Sequence, residues 1–202
     1  IGKIIDLRKA EFKFNSKWLS KLKFNEVAEL AEVFSVQQMS SRRNFKERLD
    51  KGEEVSLREF LYPIMQGYDS VALNVDGEVG GNDQLFNMLS GRILLKQIKQ
   101  KEKFVVTVKL LEDGTGKKMG KSEGNMISLL DSAIDMYGKI MSWPDGLIVP
   151  GFELCTDYSM EDLEVVKREL ATGENPRNIK MRLAREVTKL CTSEKEATQA
   201  EE

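Results

Sequence analysis

Between Leu73 and Leu111 the chain alternates in a way that few folds accommodate. The stretch Leu73 to Val79, apolar at Leu73, Val75 and Val79 and with a turn or bulge signal at Asp76-Gly77, predicts a strand. Gly80-Gly81-Asn82-Asp83-Gln84 reads as a turn, and the periodicity from Leu85 to about Ile98 predicts a helix. Phe104 to Leu111, rich in valine, predicts a second strand. Strand, helix and strand in about 40 residues form a βαβ unit, so the strands run parallel with a right-handed crossover.

The flanks of this unit differ. Residues 1–24 carry short mixed segments, in which Phe12, Phe14 and Trp18 are the expected packing anchors. Asn25 precedes a helical pattern with Val27, Leu30, Ala31 and Phe34. Ser35-Val36-Gln37-Gln38 reads as a capping box for a helix through Met39, Phe45 and Leu49. Ser56-Leu57-Arg58-Glu59 is a second box. It opens a helix to about Asp69 with Leu57, Phe60, Leu61, Ile64 and Tyr68 as its core side, kinked at Pro63. Beyond the βαβ unit, helices are expected at Ser132–Met141, Ser159–Leu170 and Asn175–Leu190, the last with Pro176 at its first position. Ser193–Glu202 reads as an acidic tail, helical or frayed.

Composition excludes more than it selects. No histidine occurs in the 202 residues, which removes histidine triads, histidine zinc sites and imidazole acid–base catalysis. Cys155 and Cys191 lack CxxC spacing, so no metal is expected and a reduced, cytoplasmic setting fits best. The net charge of −2 supplies no global basic field, so any nucleic-acid contact is local. No apolar run approaches the roughly 18 residues of a membrane span. A chain that opens at Ile1 rather than methionine reads as a piece of a longer protein.

Three constellations carry chemistry. Tyr62, Gln66 and Asp69 lie at spacings of four and three, on one helical face. A phenol, an amide and a carboxylate so placed suit a small polar ligand, although the spacing equally fits a solvent-facing stripe. Gly80-Gly81-Asn82-Asp83-Gln84 lies at the carboxyl end of a strand. There ligands meet helix N-termini in doubly wound sheets, paired glycines admit a nucleotide, and Asp83 could take ribose hydroxyls. A plain N-cap after a turn explains the same residues. Finally, Lys117, Lys118 and Lys121 crowd together, with Met119 and Gly120 between them and Ser122 after. Such a loop can screen the charge that develops when a phosphate of ATP is attacked. A solvated basic turn is the plainer account. The spacing falls one residue short of a Walker A loop.

The order of these stretches resembles the bacterial tyrosyl-tRNA synthetases, with similarity over essentially the whole chain. The matching segments are Leu61-Tyr62-Pro63-Ile64-Met65-Gln66-Gly67-Tyr68-Asp69, Gly80-Gly81-Asn82-Asp83-Gln84 and Lys118-Met119-Gly120-Lys121-Ser122. Phe14-Asn15-Ser16-Lys17-Trp18-Leu19 and Trp143-Pro144-Asp145-Gly146 add to them. The resemblance implies an α/β fold: the second half of a Rossmann-type parallel-sheet nucleotide-binding domain (1–127), then a mostly helical tRNA-side domain (128–202). It implies ATP-dependent activation of tyrosine and its transfer to tRNA(Tyr), with Mg2+ accompanying the ATP. By the same resemblance Tyr62, Gln66, Asp69 and Gln84 bind tyrosine, Gly81, Asp83 and Met119 contact the nucleotide, and Lys118, Lys121 and Ser122 act on the phosphates. The helices from Asn25 to Leu49 match the family's insertion at its dimer interface, implying a homodimer. The lysine loop has Gly120 where the family has serine, and the family's H-I-G-H signature is absent. A related tryptophan enzyme shares the Asp-Gln turn and the lysine loop; the Tyr-xxx-Gln-xx-Asp stripe favours tyrosine. A non-catalytic module of the same fold is the alternative from another class. The basic residues Arg177, Lys180, Arg182, Arg185 and Lys189 read as a solvated helix face, interleaved with Glu186.

Overall fold

Local signals set most element boundaries in the computed structural model, which describes residues 2–112, 119–120 and 126–202. The chain divides into two compact units, one of residues 12–109 and the other of residues 1–11 with 110–202.

In the first unit a short helix α1 (Ser16–Leu19) precedes α2 (Phe24–Glu32). The segment expected as one helix through Leu49 is two, α3 (Val36–Ser40) and α4 (Arg43–Asp50), the first opened by the Ser35–Gln38 capping box. Helix α5 (Leu57–Leu73) opens on the Ser56–Glu59 box and runs through a buried Pro63. It continues past the expected end at Asp69, so the predicted strand start at Leu73 is corrected. Val71, buried at 4% exposure, belongs to the apolar face of this helix, and Asn74 ends it in the left-handed conformation at φ 51°. Short apolar runs fit either element, and burial decides.

Strand β1 (Gly77–Gly81) therefore takes up the two glycines, and Asn82–Gln84 forms a 3-10 turn into α6 (Leu85–Lys99). Strand β2 (Phe104–Val108) pairs with β1 in parallel, Gly77 against Phe104 through Gly81 against Val108. This two-stranded parallel sheet is the βαβ unit expected from the sequence. Helices α5 and α6 pack closely because glycines face the contact: a Cβ on Gly67 would lie 3.0 Å from the Gly91 nitrogen. The core here gathers Leu30, Met39, Ile64, Val71, Leu94 and Leu95. Leu57 is not part of it, at 84% exposure, and Phe12 and Phe14 are exposed rather than packed.

The second unit is helical: α7 (Ala133–Met141), α8 (Ile148–Cys155), α9 (Met160–Ala171), α10 (Pro176–Cys191) and α11 (Glu194–Glu201). Ser132, Ser159, Asn175 and Ser193 each accept a backbone N–H as N-caps. The sequence did not announce α8, whose first turn holds Pro150 followed by Gly151. Proline is tolerated there because first-turn N–H groups lack helical partners. The core is built on Met136, Ile140, Ile148, Phe152, Leu163, Val166, Ile179 and Leu183. Lys180, expected on a solvated face, is buried; its ammonium donates to the Trp143 carbonyl at 2.6 Å and pairs with Asp145 at 2.7 Å. Arg182 pairs with Glu169, Arg185 with Glu194, and Lys189 with Glu194.

Candidate amino-acid site on helix α5

Helix α5 carries the three residues of the first constellation at helical spacings of four and three, and the structure separates their surroundings. Tyr62 is 58% exposed and lines an open cleft of about 270 Å³ with Arg42, Asn44, Phe45, Arg58 and Glu59. The Arg42 guanidinium stands 4.6 Å from the Phe45 ring centroid and 4.9 Å from that of Phe86. Burial lowers its pKa from the ordinary arginine value.

Gln66 and Asp69 are half-buried, so two of the three do not form a merely solvated stripe. Trp18 Nε1 donates to Asp69 Oδ1 at 2.7 Å, and Asn15 Nδ2 to Oδ2 at 3.4 Å. Desolvation pushes the Asp69 carboxyl above its ordinary value; the Trp18 and Asn15 donors pull it back, and the Glu78 charge raises it again. The carboxylate is thus held in place by donors across 51 and 54 residues of sequence. The sequence marked Trp18 only as a packing anchor.

Beside this group lies an ion pair between a buried lysine and a half-buried glutamate. The Lys103 side chain is fully buried; its ammonium donates to Ser70 Oγ at 2.7 Å and pairs with Glu78. Gly91 makes room for it, since a Cβ there would lie 2.5 Å from Ser70 Oγ and 2.8 Å from Lys103 Nζ.

The turn after β1 comes close to α5 through one amide. Gln84 and Gln66 both accept from Asn87 Nδ2, at 3.1 and 2.9 Å. The structure therefore brings Gln66 and Gln84 together, and Asn87, in the first turn of α6, is the residue sequence reasoning missed. A polar side chain inside the apolar run Leu85-Phe86-Asn87-Met88-Leu89 was the available signal. Gly81 is half-buried at the end of β1, and Asp83 is exposed in the 3-10 turn. Of the third constellation, Lys118, Lys121 and Ser122 lie outside the described residues. Met119 packs against the core of the helical unit, and its N–H donates to the Leu111 carbonyl at 2.8 Å. Among the described residues no three acidic or cysteine side chains gather as a metal site requires, and no helix is long and apolar enough to cross a membrane.

Residues 1–202 match the family model for class I tRNA synthetases (W and Y). The chain is 45% identical over 203 residues to tyrosine–tRNA ligase 2 of Clostridium acetobutylicum, covering 100% of this chain and 51% of that protein. It is 42% identical over 202 residues to the tyrosine–tRNA ligase of Thermotoga maritima, covering 99% and 50%. The chain thus spans about half the length of the curated relatives it matches. Among solved structures, it resembles a C-terminally truncated mitochondrial tyrosyl-tRNA synthetase of Coccidioides posadasii at a TM-score of 0.65 and 26% identity, covering 95% of this chain and 59% of that one. The fold is also that of the tyrosyl-tRNA synthetase from Archaeoglobus fulgidus complexed with L-tyrosine, with a TM-score of 0.70 and 22% identity, covering 98% and 68%.

Proposed function

Since the chain belongs to the class I tRNA synthetases of the tryptophan and tyrosine type, we propose that it is the tyrosine-reading part of a tyrosine–tRNA ligase of the cytoplasm. The observation that carries this reading is the half-buried Asp69 carboxylate, fixed by Trp18 and Asn15 on the same helical face as Gln66. A fixed, partly desolvated acceptor suits a phenolic hydroxyl. With phenylalanine in its place, the carboxylate keeps Trp18 and Asn15 but loses the donor from the ligand, and that loss discriminates between the two. A carboxylate accepts an indole N–H as well as a phenol, as Trp18 shows, so the choice of tyrosine between the family's two substrates rests on the relatives at 45 and 42% identity, which are tyrosine–tRNA ligases.

In this reading Gln66 and Tyr62 hold the α-amino end of tyrosine and Gln84 completes the pocket. Gly81 and Met119 occupy the family's nucleotide-contact positions in the sequence, and Asp83 its ribose position. A carboxylate oxygen of tyrosine attacks the α-phosphorus of ATP, and the bond to pyrophosphate breaks. No general base is needed, because the nucleophile is already ionised. Catalysis rests on positioning and on cationic screening of the phosphates. Lys118 and Lys121 supply the screening, with Ser122 beside them. Mg2+ travels with the ATP as part of that substrate. The tyrosyl group then passes to tRNA(Tyr), with residues 128–202 as the tRNA-side domain. The pairing of Arg182, Arg185 and Lys189 with carboxylates supports a structural role for those cations. A homodimer through the 12–109 unit accounts for Phe24, Val36 and Leu57, exposed at 90, 70 and 84% at the starts of three helices. Leu57→Glu is expected to halve the mass seen by sedimentation.

Calorimetry tests the reading directly. The chain is expected to bind tyrosine in preference to phenylalanine and tryptophan. Asp69→Ala is expected to weaken tyrosine about tenfold to a hundredfold, the range for a hydrogen bond to a charged group, while leaving phenylalanine unchanged. Unaltered discrimination in Asp69→Ala would remove that residue from the site, and tighter binding of tryptophan would reassign the substrate.

A further inference from the structure

Asn87 is nine-tenths or more buried, at 3% exposure, yet its amide is spent unevenly. Both of its donor hydrogens serve glutamine carbonyls, Gln66 Oε1 at 2.9 Å and Gln84 Oε1 at 3.1 Å. Its own Oδ1 is buried and has no hydrogen-bond partner among the described residues. An unpaired buried acceptor is a burden on stability, and a leucine of similar size would relieve it. Gln66 and Gln84 are only half-buried, so water could serve their carbonyls if Asn87 were gone. Stability of the fold therefore does not explain this asparagine.

What the arrangement does achieve is orientation. Neither glutamine has another side-chain hydrogen bond among those described, and a free glutamine amide samples rotations about its terminal torsion. Tied to one Nδ2, each carbonyl is fixed in direction and keeps a second lone pair. The two amides are also fixed relative to one another, although one rises from α5 and the other from the turn after β1. We propose that Asn87 is a positioning residue for amino-acid binding: it sets the amide orientation of Gln66 and Gln84 so that Gln66 Oε1 presents its free lone pair to the substrate ammonium. This rests on the reading of Gln66 as the residue at the α-amino end.

The test uses Asn87→Leu, with Asn87→Asp as an isosteric variant that cannot donate. In the ligand-free chain, the side-chain amide signals of Gln66 and Gln84 are expected to be ordered by NMR relaxation and to become mobile in both variants. Unchanged order would overturn the proposal whether or not any ligand binds. By calorimetry, Asn87→Leu is expected to weaken L-tyrosine about fivefold to tenfold, as for one neutral hydrogen bond. It should leave 3-(4-hydroxyphenyl)propionate, which lacks the amino group, unaffected, and the unfolding midpoint unchanged or raised. Equal weakening of both ligands, or a lowered midpoint, would make Asn87 a structural residue and overturn the proposal. A wild-type chain that binds neither ligand would instead refute the tyrosine reading, while the NMR result still decides what Asn87 does to the glutamines.

Discussion

Asp69 is a side chain whose charge the fold accommodates at a cost. Its carboxyl is pushed upward mainly by burial, so ionising it costs more in the folded chain than in the unfolded one. A carboxyl raised in this direction stabilises the fold at pH values below its unfolded pKa, and that contribution is lost as pH rises through the folded value. At neutral pH the charged Asp69 is therefore a net burden. Asp69→Asn keeps the oxygen that accepts from Trp18 and removes the charge. It should raise the unfolding midpoint at pH 7, with the difference closing as pH falls below the ordinary value of 3.8. Thermal melts at several pH values check this, and a lower midpoint at neutral pH would show that the carboxylate is structural. Glu59 has the opposite sign. Arg48 holds its pKa down to about 2, so its contribution is present at neutral pH and fades between about 4.5 and 2.

At the scale of elements, the contact of α5 with α6 is set by two glycines rather than by large side chains. Alanine at position 91 would gain helix propensity, but its Cβ would press on Ser70 Oγ and Lys103 Nζ, both fixed in the buried cluster with Glu78. Crowding wins over propensity there. Gly91→Ala should destabilise by about 1–3 kcal/mol. Gly138→Ala in α7, where a Cβ meets nothing within 4 Å, should stabilise by about 0.5–1 kcal/mol. Urea titration of the two variants reads both signs, and equal effects would mean the α5–α6 contact relaxes freely. The same contrast explains what was legible beforehand. Capping boxes at Ser35 and Ser56 and the proline start of α10 involve residues no more than three apart, so the sequence displays them directly. The strand–helix–strand order and the Tyr62–Gln66–Asp69 face follow from periodicity. The Trp18–Asp69, Lys103–Glu78 and Asn87–Gln66 contacts join residues 51, 25 and 21 apart, and nothing local marks them. Leu57 misled for a related reason: an apolar residue at a core-facing spacing is indistinguishable in sequence from one that stays exposed, as Leu57 does at 84%.

For the whole molecule, the sheet is the telling part. Parallel strands are normally covered on both faces and flanked by further strands. Here β1 and β2 form a two-stranded sheet among the described residues, with Val79, Phe104, Val106 and Val108 exposed at 68, 61, 45 and 49%. Among the described residues each strand keeps an unpaired edge, which suits further strands, and the exposed apolar side chains suit a covering layer; the relatives are about twice as long as this chain. We expect the chain alone to give no tyrosine-dependent exchange of pyrophosphate into ATP. Addition of the unmatched half of the Clostridium acetobutylicum relative should restore it, and Lys121→Ala should abolish it again. Hydrogen exchange at the amides of residues 104–108 should slow upon that addition. Restored exchange without slower amide exchange would mean that the added half docks elsewhere. Activity of the chain by itself would mean that two strands suffice for the adenylation chemistry.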